Sequence, residues 1–186
     1  MCLHGWLCHA RKYLCKKFDQ FGKLPQLRTV CLAPKVWHGE ADIATYDFIG
    51  GYREWHGGRD AMFDNGYSNR EMYHSTTCDE DRGVVITFKE PVEYIDVKIF
   101  TRSYCCRDPR YNGVCLYADG NKIACTPSDL GDPGLTINFK DYNMLTKPTV
   151  AREYAIMWDQ KGTSCAQIEE LFFHYYGMIL NLKILI

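Results

Sequence analysis

The chain has 186 residues, 46% hydrophobic and 24% charged, enough apolar material for one core and too little length for two large domains. Its formal net charge of -1, from 22 basic and 23 acidic residues, supplies no field to gather nucleic acid or an anionic membrane. Ten cysteines point to disulfides and a secreted or extracellular setting, and no CxxC knuckle of a structural zinc site occurs.

Residues 1 to 30 carry Cys2, Cys8 and Cys15 and a basic run around Lys16 without a clear strand or helix period, and read as an appendage. The basic residues Arg11, Lys12, Lys16 and Lys17 follow the mildly apolar start, the reverse of a signal peptide, so no export signal is visible. Residues 31 to 177 change texture, to short runs rich in Val, Ile, Tyr and Phe separated by Gly, Pro, Asp and Asn, the pattern of strands and turns. Trp37, Tyr46, Phe48, Tyr52 and Trp55 early in this stretch supply either core or interface. Val84, Ile86 and Phe88 alternate with Val85, Thr87 and Lys89, and Glu90 and Pro91 are expected to end that strand. A second strand follows with Ile95, Val97 and Ile99 on its inner face and Asp96 and Lys98 outside. Further strands are expected at Gly113 to Ala118, Lys122 to Cys125, Leu135 to Phe139, Glu153 to Trp158 and Gln167 to Tyr175. No stretch sustains a helical period, so the fold is expected to be an all-β antiparallel sandwich, a jelly roll of about eight strands. The apolar tail, residues 178 to 186, is far shorter than the roughly 20 residues of a membrane helix.

The segment Val114 to Cys125 reads as a hairpin with the loop Asp119, Gly120 and Asn121. That register pairs Ala118 with Lys122, Tyr117 with Ile123, and Cys115 with Cys125, which brings the two cysteines within disulfide reach. Adjacent Cys105 and Cys106 lie only about 3.8 Å apart across a trans peptide, which on spacing alone favours separate partners. Among the six cysteines from Cys78 onward, a bond between these two and one from Cys115 to Cys125 would leave Cys78 and Cys165. That last bond would close a long loop worth about 4 to 5 kcal/mol.

Three segments carry a resemblance: AMFDNGYSNREMYHSTTC from Ala61 to Cys78, FTRSYCCRDPR from Phe100 to Arg110, and CAQIEELFF near the closing strand. Together they resemble the galactose-binding-like jelly rolls, the discoidin or coagulation factor 5/8 C-type domains, and most closely the F-type fucose-binding lectins. The resemblance spans roughly Arg59 to Tyr175. It implies a Cys105 to Cys106 vicinal disulfide that packs against sugar, and a sugar site using His74, Arg102 and Arg110. The Arg-Gly-Asp of those lectins is Arg102, Ser103, Tyr104 here, a departure that bears on fucose specificity.

The chemistry fits a neutral sugar, whose hydroxyls need converging donors and whose apolar face needs a flat partner. His74, Arg102 and Arg110 are the expected donors, and Tyr73, Tyr104 and the Cys105–Cys106 sulfurs the expected apolar platform. Oxygen donors crowd Asp64, Asn65, Ser68 and Asn69, ligands of the kind calcium prefers. The resemblance implies a structural Ca2+ there, completed by Glu169 or Glu170 of the closing strand. No GxSxG, HExxH, P-loop or Rossmann glycine pattern occurs, so the chain reads as a non-catalytic glycan-binding module. An adhesion or matrix module of the same fold, binding protein or lipid, is the alternative.

Overall fold

A computed structural model of the protein describes residues 14–18, 28–54, 57–65, 71–78, 80–103, 109–145, 148–158 and 165–178. The strands are β1 (Leu14–Phe18), β2 (Arg28–Trp37), β3 (Ala44–Ile49), β4 (Tyr73–His74), β5 (Gly83–Phe100) and β6 (Val114–Ala118). They continue as β7 (Asn121–Cys125), β8 (Thr136–Asn138), β9 (Val150–Trp158), β10 (Gln167–Ile168) and β11 (Glu170–Met178). Every strand pairing is antiparallel, and no α-helix occurs among the described residues. The architecture is the expected disulfide-stapled, all-β sandwich. Among the described residues no helix is long and apolar enough to cross a membrane.

Strand β5 organises the sandwich, and it corrects the expectation of two strands parted by Glu90 and Pro91. Its first half, Gly83 to Phe88, pairs with β3, and Gly83 to Thr87 also pair with β9; its second half pairs with β11 and, at the end, with β8. Register against β9 jumps between Thr87 and Val92, and Lys89, Glu90 and Pro91 are exposed. Proline is tolerated because this irregular stretch lies where ladder bonding is already interrupted. A second irregularity against β11, between His174 and Tyr175, skips Ile95. Tyr94 therefore turns into the core with Val97 and Ile99, while Ile95, expected inside, is only partly buried. Gly83 is required at the start of β5, where a Cβ would lie 2.0 Å from the Ile156 carbonyl oxygen.

The core gathers around Phe88, whose ring meets Phe173 at 5.0 Å, Tyr175 at 5.4 Å and Trp37 at 6.0 Å. Trp37 is fully buried, and Tyr46, Phe48 and Tyr52 pack partly buried against the core, so these aromatics serve packing. Trp55 lies outside the described residues. The stretch read as an appendage contains β1, which pairs with β2, and β2 itself begins at Arg28.

Both disulfides within reach of description form. Cys115 and Cys125 are opposed in the β6–β7 hairpin and bonded. The hairpin tip differs from expectation: Asp119 and Gly120, with φ of 44° and 76°, make a two-residue turn, and Tyr117 pairs with Lys122. A register shift between Leu116 and Tyr117 absorbs the extra residue and restores the cysteine pairing. Cys78 bonds Cys165, tying the loop after β4 to the start of β10 across 87 residues of sequence. The adjacent Cys105 and Cys106 lie outside the described residues.

Candidate functional site

Arg102 follows β5, and Arg110 precedes β6 at the same end of the sandwich. A frame of buried aromatic residues fixes both backbones. The Arg102 N–H donates to the Tyr111 hydroxyl at 3.0 Å, and Trp158 Nε1 donates to the Arg110 carbonyl at 2.8 Å. Tyr111 is wholly buried and Trp158 is 2% exposed, with their rings 6.3 Å apart. Burial pushes the Tyr111 phenol far above its ordinary pKa, so its hydroxyl keeps its proton. Thr126, also buried, continues the frame: its hydroxyl donates to the Tyr111 carbonyl at 2.6 Å and accepts from the Val114 N–H at 2.8 Å. Two partly exposed arginines thus leave a dry, hydrogen-bonded base.

The closing segment lies alongside. Glu169 N–H donates to the Phe100 carbonyl at 2.9 Å, and its Oε1 accepts from Ser103 N–H at 2.7 Å and Ser103 Oγ at 2.8 Å. Gln167 on β10 is the register partner of His74 on β4. His74, Arg102 and Arg110 therefore come from neighbouring chain segments, but they are not equivalent. His74 is 6% exposed with Nδ1 2.9 Å from the Ser75 carbonyl, so its ring is packed rather than presented to solvent. Tyr73 is a plain correction: it is fully buried, stacked on Phe48 at 4.6 Å, and its hydroxyl donates to the Gly83 carbonyl at 3.1 Å. Tyr73 and His74 form a two-residue strand whose residues are both buried. Tyr104, Cys105 and Cys106 fall outside the described residues.

The expected calcium residues divide in the same way. Asp64 and Asn65 are exposed, Asn65 in the left-handed region at φ 59°, while Ser68 and Asn69 lie outside the described residues. Glu169 and Glu170 are both buried but engaged differently, Glu169 with Ser103 and Glu170 with His38, whose Nε2 is 2.6 Å from Glu170 Oε2. Glu71, not singled out from sequence, hydrogen-bonds Asp64, and that bond, with a smaller contribution from desolvation, raises its pKa. Among the described residues no group of three or more His, Cys, Asp or Glu side chains converges as a metal centre.

A separate cleft of about 570 Å³ opens on the β2–β3 side, lined by His38, Glu40, Tyr46, Arg59, Asp60 and Phe63 among others. Its polar groups largely bond one another. Tyr46 donates to Asp60, Arg59 donates to the Tyr46 carbonyl and sits 5.0 Å over its ring, and His38 stacks on Phe172 at 4.3 Å. Burial, with the Asp60 bond second, pushes the Tyr46 phenol up to about 12.

Sequence reasoning missed Tyr111, Trp158 and Ser103 as parts of the site. Trp158 gave one usable signal, because an indole N–H at the end of a buried strand needs an acceptor. Tyr111 and Ser103 gave none, since their partners, Arg102 and Glu169, lie 9 and 66 residues away.

No protein-family model and no curated protein sequence matches the chain. Solved structures do match its fold. The F-lectin (fucolectin) from striped bass (Morone saxatilis) serum superposes with a TM-score of 0.56 at 17% identity, covering 72% of this chain and 47% of that one. This chain therefore spans about half of that lectin. The family 32 CBM of Clostridium perfringens NanJ, solved in complex with galactose, gives 0.53 at 13% identity, covering 76% of this chain and 98% of that one. A Streptococcus pneumoniae fucose binding module gives 0.50 at 15% identity, covering 70% and 88%. The fold is that of the galactose-binding-like jelly rolls.

Proposed function

We propose that this protein is a non-catalytic, extracellular glycan-binding module that reads sugar through the end of the sandwich bearing Arg102 and Arg110. The observation that carries the reading is the frame under those two arginines: buried Tyr111 and Trp158 bond the Arg102 and Arg110 backbones and so bring two guanidinium-bearing positions to one rigid edge. Guanidinium N–H groups are donors only, matched to the acceptor lone pairs of sugar hydroxyls and ring oxygen. Tyr104 and a vicinal Cys105–Cys106 disulfide, on the segment between the arginines, would supply the flat apolar contact. The shared fold of sugar-binding modules supports this reading, and fucosylated glycans are the first ligands to try. The test is a glycan array probed with the oxidised protein in calcium, beside Arg102→Ala. Selective binding that the variant loses is the expected result; silence from folded protein overturns the reading.

A structural calcium held by Asp64, Asn65 and Asn69, with Glu71 and the closing-strand Glu169 as candidate partners, belongs to the same proposal. Its role would be to fix the loop before β4 rather than to touch sugar. Melting in calcium should exceed melting in chelator, and Asp64→Ala should remove the difference.

A second reading, an adhesion module binding protein or lipid, draws on exposed apolar side chains. Leu135, Met144 and Val150 are 56%, 61% and 57% exposed. Vesicle or matrix binding that survives Arg102→Ala and is lost in Met144→Ser would favour it.

A further inference from the structure

The long strand path, β1-β2-β11-β5-β9-β6-β7, ends in a pair of outer strands at each side. At one edge, β6 and β7 place Cys115 opposite Cys125, and those residues are bonded with Cα atoms 4.1 Å apart. At the other edge, β1 and β2 place Cys15 opposite Cys31 in the same antiparallel relation. Directly opposed antiparallel residues have Cα atoms about 4.5 to 5.5 Å apart, within disulfide reach.

We propose that Cys15 and Cys31 form a further intramolecular disulfide, so that both sheet edges are stapled by a cross-strand bond. This juxtaposition goes beyond the glycan-binding reading and does not depend on it. The physical need is plain at this edge. Strand β1 has five residues and, among the described residues, one hydrogen-bonded neighbour, β2, so its pairing rests on few bonds. A two-stranded pair of that size is marginal in water, and an unprotected β2 edge is a template for other chains. Covalent closure of the connection between β1 and β2 holds the cover in place.

The bond forms by thiol–disulfide exchange with a donor disulfide, of the kind carried by a thiol oxidoreductase or an oxidised glutathione-type thiol. One cysteine thiolate attacks the donor and releases one donor thiolate. The other cysteine thiolate then displaces the second donor sulfur. The protein loses two protons and two electrons, and the donor disulfide becomes two thiols. Of the ten cysteines, the two bonded pairs and this one leave Cys2, Cys8, Cys105 and Cys106.

The test uses the full chain, in a preparation where Cys115–Cys125 is intact, alkylated without reductant and digested with trypsin. Mass spectrometry should find the peptide Tyr13 to Lys16 joined to Thr29 to Lys35, in yield equal to the peptides carrying Cys115 and Cys125. Recovery of Cys15 and Cys31 as alkylated thiols, or of Cys15 joined to Cys2 or Cys8, would overturn the proposal. In Cys31→Ser, one new titratable thiol should appear at Cys15, and amide exchange in Leu14–Phe18 should quicken at least tenfold. No new thiol, or unchanged exchange, would contradict the staple.

Discussion

Around Trp37 aromatic rings meet other rings, whereas around Tyr111 and Trp158 they hold backbone. Trp37 touches Phe63 at 5.1 Å, Phe88 at 6.0 Å and Tyr46 at 6.2 Å, each edge-on, and its indole N–H turns to the nearby Glu40 carbonyl. Tyr111 and Trp158 spend their polar atoms on segments well away in sequence, the residues Arg102 and Arg110. The first region is an aromatic core whose loss is a loss of packing. The second is a frame whose loss is a loss of position. A binding surface needs the second kind, because donors aimed at a ligand must be held before it arrives.

Substitutions can break this contrast in either direction. The largest stability effect is expected for Trp37→Ala, a loss of about 3–5 kcal/mol from the cavity and missing contacts, with glycan affinity of the remaining folded protein unchanged. Tyr111→Phe removes the acceptor for the Arg102 N–H and should cost about 1–3 kcal/mol in denaturant melts. Unlike Trp37→Ala, it should also weaken glycan binding at least threefold by titration calorimetry. Arg102→Ala should lower stability by less than about 1 kcal/mol while reducing affinity at least tenfold.

The smallest effect is expected at His174, a partly buried residue on β11. Desolvation lowers its pKa below 6.5, against the opposing influence of Asp96, its register partner on β5. A histidine with a depressed folded pKa contributes stability that is present above 6.5 and lost as pH falls through the lower folded value. Asp96 is raised mainly by burial, so its contribution runs the other way, present at low pH and lost as pH rises through its folded pKa. The melting temperature should therefore decline modestly below pH 6.5, and His174→Gln should flatten that decline.

Much of the fold was legible because strands advertise themselves locally. Val84, Ile86 and Phe88 alternate as a half-buried strand must, and all three are buried. The Cys115 to Cys125 pairing was readable because Gly120 marks the turn and the count outward reaches both cysteines, even though the turn has two residues instead of three. Proline at 91 misled, because its effect depends on whether the neighbouring ladder needs its missing N–H, and the interrupted β5–β9 register removes that need. The site was less legible. Arg102 and Arg110 could be named from a resemblance, but the burial of Tyr73 and His74 follows from β4 pairing with β10, more than 90 residues away, which no local period encodes. Tyr111 and Trp158 likewise act through contacts, 9 and 48 residues away, that no strand period encodes.

Hydrogen exchange of the folded, oxidised protein with and without a bound fucosylated oligosaccharide tests the central claim most directly. The account predicts ligand protection confined to the segments around Arg102–Ser103 and Arg110–Gly113, with the Trp37–Tyr46 region unchanged. Protection centred on the β2–β3 cleft, with the arginine segments unaffected, would contradict it.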